Sequence, residues 1–326
     1  MGKDRLLIIV AFSITYFVWG ATYLANYWAI DSIPVFGMGG TRFLCAGGLM
    51  YIYTLLRGDR TVPRLKYAAN SALVGLLLLG VGTGAVVWSQ QFVPTSTTSL
   101  IIAFEPLVVM LMMWGALDSR PSNKAFFGAF VSICGMGLLI TQPLAIGGPD
   151  AYKGLIGITF GMVCWGAGML LRQRLDLGPN RVRATAMQML AAGTALLLFS
   201  FSLNEWAGWT LEEVTTRSAY AWVFLVVFGS IIAFSAFNYL LGEVTADKVA
   251  TTNYVNPVVA VLLGGLLNGE TITGQSLLAG SVLLAGVYFI NSAEAPPAVT
   301  EETPVHSVGD IGEAATPPEG IKPADG

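Results

Sequence analysis

The chain has 326 residues, of which 54% are apolar and only 11% charged, and its formal net charge is −3 at pH 7. Ordinary soluble domains carry about 25% charged residues, so this composition excludes a water-soluble globule. The small negative charge gives no reason to expect a nucleic-acid partner.

Ten apolar blocks follow one another, at approximately 6–25, 34–56, 68–90, 95–117, 124–142, 154–173, 183–203, 219–241, 247–268 and 274–292. Each suffices to cross a bilayer core, which takes roughly 20 helical residues. Helix is expected because backbone polar groups in lipid must be satisfied within the segment, and the alternation of a membrane barrel is absent. The first block follows Lys3 and Arg5 and lacks a small-residue cleavage site, so it reads as an uncleaved span. It carries Phe12, Tyr16, Trp19 and Tyr23 on one helical face. Tyr27, Trp28, Trp206 and Trp209 lie near span ends, where aromatic residues anchor the interface.

The second block contains Arg42. The third contains the glycines of GVGTGA, which lack the Lys-Ser/Thr of a phosphate loop and read as packing residues. Glu105 and Pro106 fall in the fourth block, and Asn253, Asn256 and Pro257 in the ninth. Cys45, Cys134 and Cys164 are far apart, so neither a disulfide framework nor a metal site is implied, and no cofactor is expected. Residues 293–326 turn to Pro, Glu, Ala, Thr and Gly and read as a disordered tail.

Lys and Arg cluster in alternate loops, 14 on one side against Lys153 and Arg217 on the other, with Arg42 inside a span. The positive-inside rule then places both termini in the cytoplasm, which an even number of spans satisfies. An internal repeat is also legible. Shifting by 146 residues sets Trp19-Gly20-Ala21 on Trp165-Gly166-Ala167 and Arg42–Gly48 on Gln188–Thr194. Shifting by 151 sets Glu105-Pro106 on Asn256-Pro257 and Trp88 on Tyr239. The expected fold is therefore an all-α membrane protein of ten helices in two inverted five-helix repeats, 1–145 and 146–292, with 293–326 as a cytoplasmic tail. Secondary transporters recurrently use this plan and bind substrate at the repeat interface.

WGATY in the first span, TRFLCAGG in the second, EPLVVMLMMWGALDSRPS in the fourth and NPVVAVLLGGLLNGETIT in the ninth carry a resemblance. The chain resembles the drug/metabolite transporter superfamily, specifically EamA-type ten-span exporters, over roughly residues 6–292. The first copy departs from the pattern at its boundary, with Asp118 near the place of Glu270, which makes that acid a helix-end feature. The resemblance implies export of amino acids, sugars or amphiphilic drugs across the bacterial cytoplasmic membrane.

Charges within a span cost about 2.5–3.5 kcal/mol on insertion scales and usually face a cavity or a partner. Arg42 and Glu105, with repeat equivalents Gln188 and Asn256, are the candidates to line a cavity. The alternative is that Arg42 and Glu105 pair and lock two helices. If both bind substrate, they suit a zwitterion such as an amino acid. Glu105 is also a candidate proton carrier, with burial and a neighbouring Arg pulling its protonation in opposite senses. Trp19, Tyr23, Trp88, Trp165 and Tyr239 are candidate aromatic walls, Asn238 a further polar contact, and Pro106 and Pro257 hinges or kinks. Transport by alternating access is the leading reading. A channel-like facilitator and a multidrug exporter are the alternatives. An intramembrane enzyme is disfavoured, because His306 sits in the tail and no paired acids or ligand spacings occur in the spans.

Overall fold

The computed structural model describes residues 3–117, 120–141, 148–244, 249 and 252–292. Within them the chain is helical throughout, with no strand. In chain order the helices are α1 (Lys3–Ala29), α2 (Val35–Leu56), α3 (Leu65–Gly75), α4 (Gly84–Ser89), α5 (Thr95–Ile102), α6 (Glu105–Leu117) and α7 (Asn123–Ile140). Then come α8 (Ala151–Arg174), α9 (Arg181–Ser202), α10 (Thr216–Phe224), α11 (Phe234–Glu243), α12 (Thr252–Asn268) and α13 (Gly274–Asn291). Asp118, Lys248 and the tail fall outside the described residues.

Among the described residues, eight rods are long and apolar enough to cross a membrane. The other two, α2 and α12, are a helix diluted by Arg42 and five glycines and a helix of 17 residues. Large apolar side chains point outward along the rods, including Phe17, Phe130, Ile156, Leu198 and Leu266. Soluble proteins rarely expose contiguous apolar surface on this scale. A lipid exterior explains it.

Two rods depart from regular α-geometry. Leu76–Thr83 joins α3 to α4 as a π-helical segment, and Leu225–Ala233 joins α10 to α11 in the same way. The fourth rod is broken: turn residues Ala103 and Phe104 separate α5 from α6. Pro106 is therefore the second residue of α6, in the first turn, where its missing N–H costs little. Pro257 instead lies inside α12, which continues through it.

Two seams of small residues hold the bundle. Gly193 of α9 faces the backbone of α2 so closely that an added Cβ would sit 2.6 Å from the Leu44 nitrogen. Gly135 of α7 faces α13 with 2.5 Å to the Leu283 nitrogen. Such approach lets helices pack through dispersion in lipid, where no hydrophobic drive operates between them.

Four helices begin with their own side-chain cap, from Ser122, Asn180, Thr215 and Thr273. By contrast α2 and α5 begin after Pro34 and Pro94, which have no capping group. Distant carboxylates serve them instead. Glu205 accepts from Phe36 N at 3.1 Å and Gly37 N at 3.1 Å, and Glu270 accepts from Thr95 N at 3.0 Å and Ser96 N at 2.9 Å.

Those two acids, with Asp31, mark one end of the bundle. The other end carries Arg57, Arg60, Arg64, Lys66, Arg172, Arg174, Arg181 and Arg183 and is called the basic end below. There a clasp joins the loop after α2 to the start of α9. Arg183 forms an ion pair with Asp59 and donates to Thr61 O at 2.7 Å, while the Asn180 amide donates to Asp59 at 2.6 Å.

Candidate functional site

A cavity of about 580 Å³ runs between the rods. It reaches the basic end beside Pro121, Ser122 and Asn291, and its far limit lies near Asn26, Val86 and Gly229. Trp19, Tyr23, Arg42, Glu105, Pro106, Trp165 and Asn256 all line it.

Arg42 is 5% exposed. Its Nε donates to Ser230 Oγ at 2.8 Å and one terminal nitrogen donates to Asn26 Oδ1 at 3.0 Å. The guanidinium carbon also stands 4.9 Å from the Phe43 ring centroid, within cation–π range. Two donors of the fork are thus fixed in orientation, and the remaining terminal nitrogen lies beside Gly229, the residue whose missing side chain leaves it room. Gly229 and Ser230 belong to the second π segment, a geometry frequent at functional sites.

Glu105 opens α6, where the helix N-terminus favours a negative charge. Among the described residues it accepts no hydrogen bond, and the three ion pairs, Lys153–Asp150, Arg183–Asp59 and Arg217–Asp31, all lie near bundle ends. Arg42 and Glu105 therefore share one cavity without pairing, and the locked-pair alternative does not describe this conformation. Asn256, with its amide nitrogen turned towards α1, donates to Tyr16 O at 2.9 Å and Thr15 O at 3.2 Å.

Of the expected aromatic residues, Trp19, Tyr23 and Trp165 line the cavity. Trp19 meets Trp165 edge to face at 6.5 Å and Phe237 at 4.8 Å. Five methionines, Met110, Met113, Met162, Met169 and Met189, complete the apolar lining. Four expected contacts lie elsewhere. Trp88 packs against Phe92 at 4.9 Å and over Gly157. Gln188 is buried against Gly75 in the α3–α9 contact. Asn238 receives a 2.7 Å hydrogen bond from Arg172 and donates to Phe234 O. Tyr239 of α11 packs against the core and is not among the cavity lining. Pro257 lines a separate groove between α5, α12 and α13.

Asn26 and Ser230 were not among the sequence candidates. Asn26 had a signal, since it continues the Trp19–Tyr23 face three residues on. Ser230 had none, because a π segment cannot be read from a 3.6-residue period. Among the described residues no cluster of His, Cys, Asp or Glu is able to hold a metal ion.

A family model described as "EamA-like transporter family" matches residues 6–141 and 152–292. The chain is 36% identical over 290 residues to "Uncharacterized inner membrane transporter YedA" of Escherichia coli (strain K12), covering 88% of this chain and 92% of that protein. It is 22% identical over 300 residues to "Probable amino-acid metabolite efflux pump" of Salmonella typhimurium, covering 88% and 93%. A solved crystal structure superposes with a TM-score of 0.62 at 17% identity, covering 87% of this chain and 96% of that one, which bears on the fold alone.

Proposed function

This chain belongs to the EamA-like transporter family, and from that premise we propose that it is a secondary carrier exporting amino acids or related amphiphilic zwitterions by alternating access. The observation that carries the reading is the pair Arg42 and Glu105, facing one cavity unpaired. A substrate carboxylate suits the free arm of Arg42, and a substrate ammonium suits Glu105. The Trp19–Trp165–Phe237 wall and the methionines suit an apolar side chain, with a breadth of fit that flexible thioethers allow.

The underlying architecture is ten spans in two inverted repeats, 1–145 and 146–292, in the bacterial cytoplasmic membrane with both termini inside. Equivalent positions support it by lining the cavity in pairs: Trp19 with Trp165, Tyr23 with Met169, Phe43 with Met189, Val86 with Phe237, and Glu105 with Asn256. The seam supports it too, since Gly47 meets Ala186 O while Gly193 meets Gly40 O. On the positive-inside rule the basic end is cytoplasmic, so the conformation here is open inward and ready to load an export substrate. Glu105 doubles as the group that would carry a coupled proton.

The test is counterflow in proteoliposomes with a panel of labelled amino acids, comparing the natural chain with Arg42→Ala and Glu105→Gln. Saturable counterflow that both substitutions abolish in folded protein is the expected result. An uptake that never exceeds equilibration would point to a facilitator, and counterflow of apolar drugs but of no amino acid would sink the zwitterion assignment.

A further inference from the structure

Two carboxylates reach across the bundle at the end opposite the basic one, and their settings differ. Glu205 sits on the glycine-packed α2–α9 seam and also accepts from Ser200 Oγ in the last turn of α9 at 2.6 Å. Glu270 instead joins the far end of α12 to the start of α5, two rods that both contribute to the cavity wall.

Its carboxylate is saturated. Oε1 accepts from Thr95 N at 3.0 Å and from the Thr95 hydroxyl, and Oε2 accepts from Ser96 N at 2.9 Å and Ser96 Oγ at 2.5 Å. Thr95 is fully buried. Burial alone would push the Glu270 carboxyl up, but the donors of Ser96 and Thr95 outweigh it and hold it below the ordinary carboxylate range. Around it, Trp28 Nε1 donates to Asn268 Oδ1 at 3.1 Å, and Gln90 Nε2 donates to Tyr23 O at 2.8 Å. These bonds seal the layer beyond Asn26, on the far side of the cavity from its mouth.

The same rods continue from this seal to the cavity. From Thr95 the fourth rod leads to Ile102 and Glu105, and from Gly264 α12 leads back to Asn256, Asn253 and Thr252, all lining residues. The ends of the two rods are joined at the sealed side, while the cavity opens where their other ends lie.

We propose that Glu270 is the outer latch of the transport cycle, and that the cavity opens to the far side only when its carboxylate leaves the N-terminus of α5. This rests on the alternating-access reading above. The latch is a positioning device, since Glu270 itself does not line the cavity. Release exposes four donors, two of them backbone N–H groups that Pro94 cannot cap, so the latch favours the inward-open state until substrate binding shifts the balance.

Thr22 lies in the cavity between Trp19 and Tyr23 and serves as a reporter. In a chain with Cys45, Cys134 and Cys164 replaced by Ala, Thr22→Cys is labelled from the outer face of right-side-out vesicles with a membrane-impermeant maleimide. Glu270→Gln cannot accept from both backbone donors, and Gly264→Ala keeps the charge but places a Cβ 2.8 Å from Glu270 Oε2. Each is expected to speed outer labelling at least about tenfold, a shift of about 1.4 kcal/mol in the equilibrium. An unchanged rate in both variants, eluting as monodisperse protein, overturns the latch.

A second measurement removes any dependence on folding of the variants. An oxidised Ser96→Cys/Glu270→Cys pair is expected to arrest counterflow, and reduction of the same sample to restore it. Full counterflow in the cross-linked state also overturns the proposal. Absence of counterflow in the natural chain would sink the carrier reading instead, and leaves the labelling comparison standing.

Discussion

The fourth rod and α12 both line the cavity, yet one is broken and the other continuous. Both carry a polar residue followed by proline, Glu105-Pro106 and Asn256-Pro257. Proline alone therefore does not decide the break. In α12 the Asn256 amide finds carbonyls of α1, so its polar group is satisfied by protein and the helix stays whole through Pro257. In the fourth rod the turn at Ala103–Phe104 makes Glu105 the first residue of a new helix, with no hydrogen-bond or ion-pair partner among the described residues. One rod holds its polar residue in place, and the other presents it. The difference gives the cavity one negative pole.

The sharpest way to break that comparison is to exchange the roles. Glu105→Gln is expected to reduce counterflow about 100-fold with little change in thermal stability, the scale of losing a charged hydrogen bond to substrate. Asn256→Ala is expected to do the reverse, lowering the melting temperature because Thr15 O and Tyr16 O lose a donor, while residual protein transports within about tenfold of normal. Equal losses of transport in both would remove the distinction.

Arg42→Lys tests the opposite pole. A lysine keeps the charge but not the fork that engages Ser230 and Asn26 while leaving an arm free, so half-saturating substrate concentrations should rise about tenfold in a counterflow titration. Next in size are the prolines. Pro106→Ala should change stability by less than about 1 kcal/mol, because the first turn needs no N–H at that position. Pro257→Ala restores a donor inside α12, and turnover in the same titration is expected to slow with substrate affinity unchanged.

The smallest effect is expected at the Asp59–Arg183 clasp, remote from both rods. Hydrogen bonds from Thr61 and Asn180, with Arg183 adding to them, hold the Asp59 carboxyl below its ordinary value. A depressed carboxyl contributes stability that is present above its unfolded pKa and is lost as pH falls through the folded one. Thermal melts should thus show Asp59→Asn slightly destabilised at neutral pH and indistinguishable from the natural chain once the medium is acid enough to protonate Asp59.

Rod boundaries and the two charges within spans were legible because they rest on the contrast between apolar blocks and charge, which composition records directly. The aromatic wall was legible only in part. Trp88 and Tyr239 were chosen as equivalent residues, and the cavity takes Val86 and Phe237, two positions earlier in each. Each lies beyond a π segment, where the 3.6-residue period loses its phase. Gln188 fails for another reason. The fork of Arg42 is long enough to reach the cavity from its helix, whereas Gln188, whose backbone packs against Gly75, stays buried away from it and Met189 takes the lining place. Asn238 is absorbed by Arg172 and Thr185, a long-range pairing that no local pattern reports.

The two glycine seams bear on how this sequence tolerates change. At Gly193 and Gly135 the neighbouring backbone already occupies the space of a methyl group, so even alanine acts as a wedge between rods. In a saturation library scored for survival, these positions should be as intolerant as the cavity charges, though they never meet a transported molecule. Lipid-facing Phe130 and Leu198, a helix turn or two away, should accept nearly any apolar replacement.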